Sequence, residues 1–238
     1  DNILPMPAWV NGRFSVWSAV GLPIAIAYGF TVFVDFLRGA HAADEHVRTT
    51  PLDQNVPVLM ALYGIWNRNF LGASAHAVFP YSHRLSHLVA YLQQLEMESN
   101  GKRVTREGAA CGYDTAPVVF GSVGTNAQHA FMQALHQGTA PIPCDFIGVM
   151  HPPQPVLNAH MRAQGRALAQ GGGEGHRECP GNAPSTTIFL PVLDAYNLGV
   201  LLAAYEHKTA VQSFIWNINA FDQFGVELGK TLAKELLA

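Results

Sequence analysis

Charge is what this chain has least of. Asp, Glu, Lys and Arg together make up 13% of its 238 residues and leave a net charge of -3. Neither a basic stripe nor an acidic tail is present, which excludes a nucleic-acid partner and leaves small molecules or another subunit. Cysteine is also scarce. Cys111, Cys144 and Cys179 are odd in number and form no Cys-x-x-Cys, so neither a disulfide framework nor a zinc site follows, and a reducing, cytoplasmic setting is expected. Cys144, ahead of Asp145-Phe146-Ile147, reads as a buried thiol at the start of a strand. His83 and His87 stand at i, i+4, but no third ligand or His-Glu-x-x-His pattern accompanies them, so no metal is assigned. The glycines of Gln170 to Pro184 follow no strand and precede no Gly-Lys-Ser/Thr, which makes them an exposed loop rather than a phosphate cradle. No internal repeat is visible.

One uncharged run has to be weighed as a membrane span. Val16 to Val34 carries no charge and is long enough to span a bilayer. Gly21, Pro23 and Gly29 interrupt it, Ser18 is polar, and Asp35 and Arg38 follow directly. The expectation is a buried core helix and no membrane association.

An apolar content of 49% is ample for one sizeable core. Ala75–Tyr81, Pro117–Phe120, Asp145–Val149 and Thr186–Leu190 have the length and composition of strands. Helical periodicity fills the gaps, at about Leu52–Phe70, His83–Met97, Asn126–Gln137, Pro155–Gln170 and Asp194–Ile218. This alternation predicts a doubly wound α/β protein, three layers α/β/α with a mostly parallel sheet and any site at the carboxyl ends of its strands. Tryptophan and phenylalanine are assigned to the core.

A few polar residues stand out against this background. Gln223, Glu227 and Lys230 follow i, i+4, i+7 spacing and share one face of a helix, which could edge a pocket, though spacing alone favours an exposed surface helix with a Glu–Lys pair. Val118-Val119-Phe120 runs through Gly121 to Asn126 into a helix, offering backbone N–H groups for an anion near Thr125. His129 in that helix is expected near its positive end, where the dipole opposes protonation. Glu98 ends a helical pattern before the turn Ser99-Asn100-Gly101. Glu96 is an equal candidate by pattern alone, and both read as solvated carboxylates. His76 and His207 lie in apolar surroundings and read as hydrogen-bonded core residues.

Four stretches, in chain order, resemble the glucose-6-phosphate isomerase (phosphoglucose isomerase) family. They are Gly12-Arg13-Phe14-Ser15-Val16-Trp17-Ser18-Ala19, Met97-Glu98-Ser99-Asn100-Gly101-Lys102, Gly124-Thr125-Asn126-Ala127-Gln128-His129, and Gln223-Phe224-Gly225-Val226-Glu227-Leu228-Gly229-Lys230. The likeness extends through Pro51-Leu52-Asp53-Gln54-Asn55 and Tyr205-Glu206-His207-Lys208. It implies a flavodoxin-like sugar isomerase domain over 51–238, preceded by a leading segment, 1–50, that carries the Gly-Arg-Phe-Ser motif. It also implies an aldose–ketose isomerase that interconverts glucose 6-phosphate and fructose 6-phosphate through a cis-enediol, without a cofactor.

Within that resemblance Glu98 is the base that moves a proton between adjacent carbons, a task suited to one carboxylate. Arg13 is the cation facing the enediolate. His129 and Lys230 open the sugar ring, and Gln223, Gly12 and Thr125 hold substrate. The resemblance further implies a homodimer whose shared site takes His129 from the neighbouring subunit, and an amino-terminal half bearing the Ser/Thr loop that grips the phosphate. Asn11 and Ala127 depart from the residues usual in the family. A second expectation stands beside the first, namely an isomerase-fold module that is catalytically weak without that half, because phosphate binding normally orients the reacting carbons.

Overall fold

The computed structural model describes residues 3–237. Four strands, β1 (Ala75–Pro80), β2 (Val118–Gly121), β3 (Cys144–His151) and β4 (Ser185–Val192), pair in parallel in the order β2-β1-β3-β4. Each lies within three residues of its expected bounds. Helices α1 (Leu22–Tyr28), α2 (Phe30–Thr49) and α3 (Val56–Ile65) precede the sheet, and α4 (Leu88–Leu92), α5 (Gly124–Ala130), α6 (Met132–Gln137), α7 (Pro155–Gln170) and α8 (Ala195–Ile215) connect or follow its strands. The last is α9 (Phe224–Leu236).

The pleat sends alternate strand residues to opposite layers. Val78, Ile147 and Val149 meet Leu88, Leu92, Leu201 and Tyr205 on one side. Ala77, Phe79 and Phe146 meet Met132, Met161 and Leu168 on the other. Three layers result, as expected. Cys144 opens β3 and is buried, and burial pushes its thiol pKa up. The stretch between α7 and β4 is a loop closed by the bridge Gly172–Cys179.

The uncharged run differs from expectation. Gly29, at φ 94°, breaks it into α1 and α2, a backbone geometry that glycine adopts without the usual steric cost. No residue of α1 is buried, and Ile26, Tyr28 and Phe30 are exposed. The buried part belongs to α2, whose Phe33, Phe36, Gly39 and Ala43 face inward, and which continues through charged residues to Thr49. Among the described residues, no helix is long and apolar enough to cross a membrane. The assignment of all Trp and Phe to the core also fails, because Trp9, Trp66, Phe70, Phe214 and Phe224 are exposed.

Helices α2 and α8 meet backbone to backbone. A Cβ at Gly39 would lie 1.9 Å from the Tyr196 carbonyl oxygen, and one at Gly199 would lie 2.1 Å from that of Phe36. Neither obstacle is a side chain that can swing away. Gly39→Ala is therefore expected to destabilise the protein by about 1–3 kcal/mol, measured by urea unfolding. A loss below about 0.5 kcal/mol, the usual range for an unconstrained surface position, would show that the helices part freely.

Candidate active site

Residues from the two ends of the chain converge on one guanidinium. Arg13 sits in a single 3-10 turn, Gly12–Phe14, and is 4% exposed. Its Nε donates to Ser99 Oγ at 2.6 Å. Its Nη1 donates to Gln223 Oε1 and pairs with Glu98 Oε2, both at 3.3 Å. Its Nη2 donates to the Ala220 carbonyl and, at 3.2 Å, to that of Asp222. All five N–H donors of the guanidinium thus have protein acceptors. Burial lowers its pKa, against the opposing pull of Glu98 and Asp222. Arginine remains a cation under such pressure.

This occupancy bears on how Arg13 could act. A cation free to bind an enediolate would keep a donor in reserve, whereas here the guanidinium orients Glu98 and braces the 220–223 loop. Gly12, beside it, is exposed, and a Cβ there would meet nothing within 4 Å.

Glu98 is the last residue of a π-helical segment, Gln93–Glu98, that prolongs α4. Such wide turns occur often at functional sites. The Glu98 side chain is 20% exposed, so its carboxylate is held yet reachable. Gln94 Nε2 also donates to its Oε2 at 3.1 Å. Lys102, which sequence reading left without a role, fixes the backbone behind it. Its Nζ donates to the carbonyls of Glu98 and Ser99 at 2.8 Å and of Asp222 at 2.9 Å, and lies 3.5 Å from Asp222 Oδ1. Asn11 Nδ2 reaches the Phe221 carbonyl at 2.7 Å, so this departure from the family pattern reinforces the same junction. The cleft that results has a volume of about 760 Å³, and Glu98, Lys102, Arg106, Asp222 and Gln223 line it.

The two candidate glutamates are now distinct. Glu96 is buried and bonded by Lys208 Nζ at 2.6 Å, which corrects its reading as a solvated carboxylate. Only Glu98 faces the cleft. His76 pairs with the buried Asp145 at 3.2 Å as expected, whereas His207, 2.7 Å from the exposed Asp44, is hydrogen-bonded at the surface and not in the core. Burial pushes the Asp145 carboxyl up, but His76, Lys208 and the Tyr205 hydroxyl outweigh it and hold it below the usual range.

Other expectations are displaced. Gln223 does not share a helical face with Glu227 and Lys230, because it precedes α9 with φ -150° and ψ 46°. Lys230 is exposed on α9, a helix with no buried residue, and the cleft lining reaches Val226 but not Lys230. Nor does the Glu98 cluster lie at the carboxyl ends of the strands. The chain rises through β1 and returns along α4, so Glu98 ends near the start of β2. The Ala116 N–H donates to the Asn100 carbonyl at 3.2 Å, and Gln93 Nε2 donates to the Val119 carbonyl at 3.1 Å. Thr125 and His129, both exposed, lie on α5 beyond the other end of β2. The strand alone separates the two groups by roughly 10 Å, at about 3.3 Å per residue. Helix α5 is a single short stretch with His129 in its last turn, so the expected argument from the positive end of the helix dipole does not apply.

Fold and site together define an α/β protein with a guanidinium-braced carboxylate in an open cleft. The family model for phosphoglucose isomerase matches residues 1–238, and the chain belongs to that family. It is 56% identical over 245 residues to a glucose-6-phosphate isomerase of Stenotrophomonas maltophilia R551-3, covering 100% of this chain and 49% of the relative. With that of Acinetobacter baumannii AYE it is 49% identical over 264 residues, covering 100% and 48%. A crystal structure of a glucose-6-phosphate isomerase from Chlamydia trachomatis matches with a TM-score of 0.92 at 44% identity, over 96% of this chain and 47% of that one. The chain spans about half the length of the curated relatives it matches.

Proposed function

We propose that this chain carries the proton-transfer residues of an enzyme interconverting glucose 6-phosphate and fructose 6-phosphate. The observation that carries the reading is the pair of Glu98 and Arg13, a partly exposed carboxylate at 3.3 Å from a fully engaged, buried guanidinium. Glu98 removes the proton from the carbon beside the sugar carbonyl and returns it to the neighbouring carbon, passing through a cis-enediol. Arg13 keeps the carboxylate oriented between the two transfers, and its positive charge lowers the energy of the developing enediolate through space. Gln223 and Gly12, at the same junction, contact substrate hydroxyls.

Ring opening falls to His129 and Lys230 in this proposal. Their separation from Glu98 within one chain supports a homodimer in which His129 serves the neighbour's cleft and Thr125 lies beside it. Exposed apolar side chains on α1, the start of α2 and α9, Ile26, Phe30, Leu228 and Leu232 among them, fit burial against a second subunit or the remaining half of the protein. That half supplies the phosphate grip, and the setting is cytoplasmic. A second reading, a catalytically weak module, is favoured for the chain on its own by the exposure of α9 and Lys230.

The test is conversion of fructose 6-phosphate in deuterium oxide, by this chain alone and by the full-length protein. Full-length activity with solvent deuterium at C2 of the product is expected. Conversion without deuterium would leave a hydride shift as the alternative, since an enediol exchanges its proton with solvent at least in part. No conversion by the folded full-length protein would end the isomerase reading. Activity of the chain alone would remove the second reading.

A further inference from the structure

A half-buried carboxylate outside the cleft joins the two segments that supply the reactive pair. Glu206, on α8, accepts a hydrogen bond from Trp17 Nε1 on Oε2 and from Tyr91 Oη on Oε1, each at 2.8 Å. Trp17 stands four positions beyond Arg13 in the same leading segment, and its ring stacks on Phe36 with centroids 4.5 Å apart. Tyr91 belongs to α4, whose π-helical extension ends at Glu98. The charged or titratable groups facing Glu206 are Tyr91, from α4, and Asp44, from α2, and Asp44 is itself paired with His207. Burial pushes the Glu206 carboxyl up to about 7, with Asp44 adding to the rise and the Trp17 and Tyr91 donors opposing it. A bare carboxylate in this position is costly to keep, and its two donors use both oxygens.

We propose that Glu206 is a positioning residue for the isomerisation, holding the Arg13 segment and the Glu98 helix in register through Trp17 and Tyr91. This rests on the isomerase reading above. Displacing a reacting group by about 1 Å can cost on the order of 10²-fold in rate, and the Arg13–Glu98 pair is assembled from segments that nothing local in the sequence holds together. The amide of glutamine reproduces both joints. Its oxygen accepts from the indole, and its NH₂ donates to the tyrosine oxygen, which then acts as acceptor.

The variants are Glu206→Gln and Glu206→Ala in the full-length protein. Glu206→Gln is expected to keep kcat within about threefold. Glu206→Ala is expected to lower kcat by on the order of 10²-fold with little change in KM, and Trp17→Phe combined with Glu206→Ala is expected to do no further harm, as for residues in one network. The raised carboxyl favours the folded state below its ordinary pKa, and that advantage is lost as pH rises through about 7. The Tm of Glu206→Gln relative to the parent should therefore climb between pH 5 and pH 8. Glutamine as damaging as alanine, or alanine that lowers Tm and leaves kcat intact, would overturn the proposal. A separate readout is independent of catalysis: the Arg13 Nε–H, seen by NMR, should exchange slowly with solvent in the parent and in Glu206→Gln and rapidly in Glu206→Ala. Slow exchange in all three refutes the positioning role even if the protein proves to be no isomerase.

Discussion

Glu98→Gln is expected to lower kcat by roughly 10²- to 10⁴-fold, the usual contribution of a general base. An amide cannot accept a proton and return it, so the loss should fall on the chemical step and leave KM nearly unchanged. The replacement should fold. The glutamine oxygen can still accept from Arg13, Ser99 and the 220–223 loop keep their own bonds to the guanidinium, and the side chain is partly open to solvent. Losing a charge opposite a buried cation should cost about 1.5–3 kcal/mol at most, the range for a hydrogen bond to a charged group. Glu98→Asp keeps the chemistry but draws the carboxylate back by about one bond, and it is expected to lie between the parent and Glu98→Gln. Steady-state kinetics and deuterium exchange at C2 on the same samples separate the outcomes. Glu98→Gln that retains conversion within threefold, with exchange intact, would remove Glu98 from the role of base.

The sheet was legible because its strands are short apolar runs set between helical patterns, and period alone separates the two. The leading segment was not. Its uncharged run from Val16 to Val34 reads as one element, yet Gly29 ends one helix and α2 continues past Asp35 and Arg38 through charged residues to Thr49. What holds α2 in place is close packing against α8, more than 150 positions away in the chain, and periodicity carries no trace of it. The same limit applied to the site. Arg13, Glu98 and Gln223 are far apart in sequence, and only motif resemblance joined them. Spacing even misdirected, because it put Gln223 on a helix whose first turn it merely precedes. Lys102, Asn11, Ser99 and Glu206 gave no local signal, since each acts through hydrogen bonds to a distant segment. Nor could pattern tell Glu96 from Glu98, because the difference lies in a lysine on α8.

That lysine gives the largest expected effect on stability. Lys208→Met is expected to destabilise the protein by about 3–5 kcal/mol, because it strands a buried carboxylate. Lys208 Nζ and Glu96 Oε2 are 2.6 Å apart, and their side chains are 2% and 4% exposed. Glu96 Oε1 has no hydrogen-bond partner among the described residues, so the Oε2 bond to Lys208 is the main compensation for burying that charge. Glu96→Leu with Lys208→Met should recover most of the loss, since two apolar groups can replace a buried pair at little net cost. The difference between the double variant and the sum of the single ones, read from urea unfolding, gives the coupling directly. A loss below about 1 kcal/mol in Lys208→Met would mean that water or a rearranged partner reaches Glu96. The pair also bears on catalysis. Glu96 lies in the π-helical segment that ends at Glu98, and Asn100 Nδ2 donates to the Thr209 carbonyl at 3.0 Å, beside Lys208. Helix α8 thus anchors the Glu98 segment at two adjacent points. Removing one of them should lower kcat as well as Tm, whereas the apolar double replacement should restore Tm more fully than kcat, because packing refills the space without fixing the angle at which Glu98 enters the cleft.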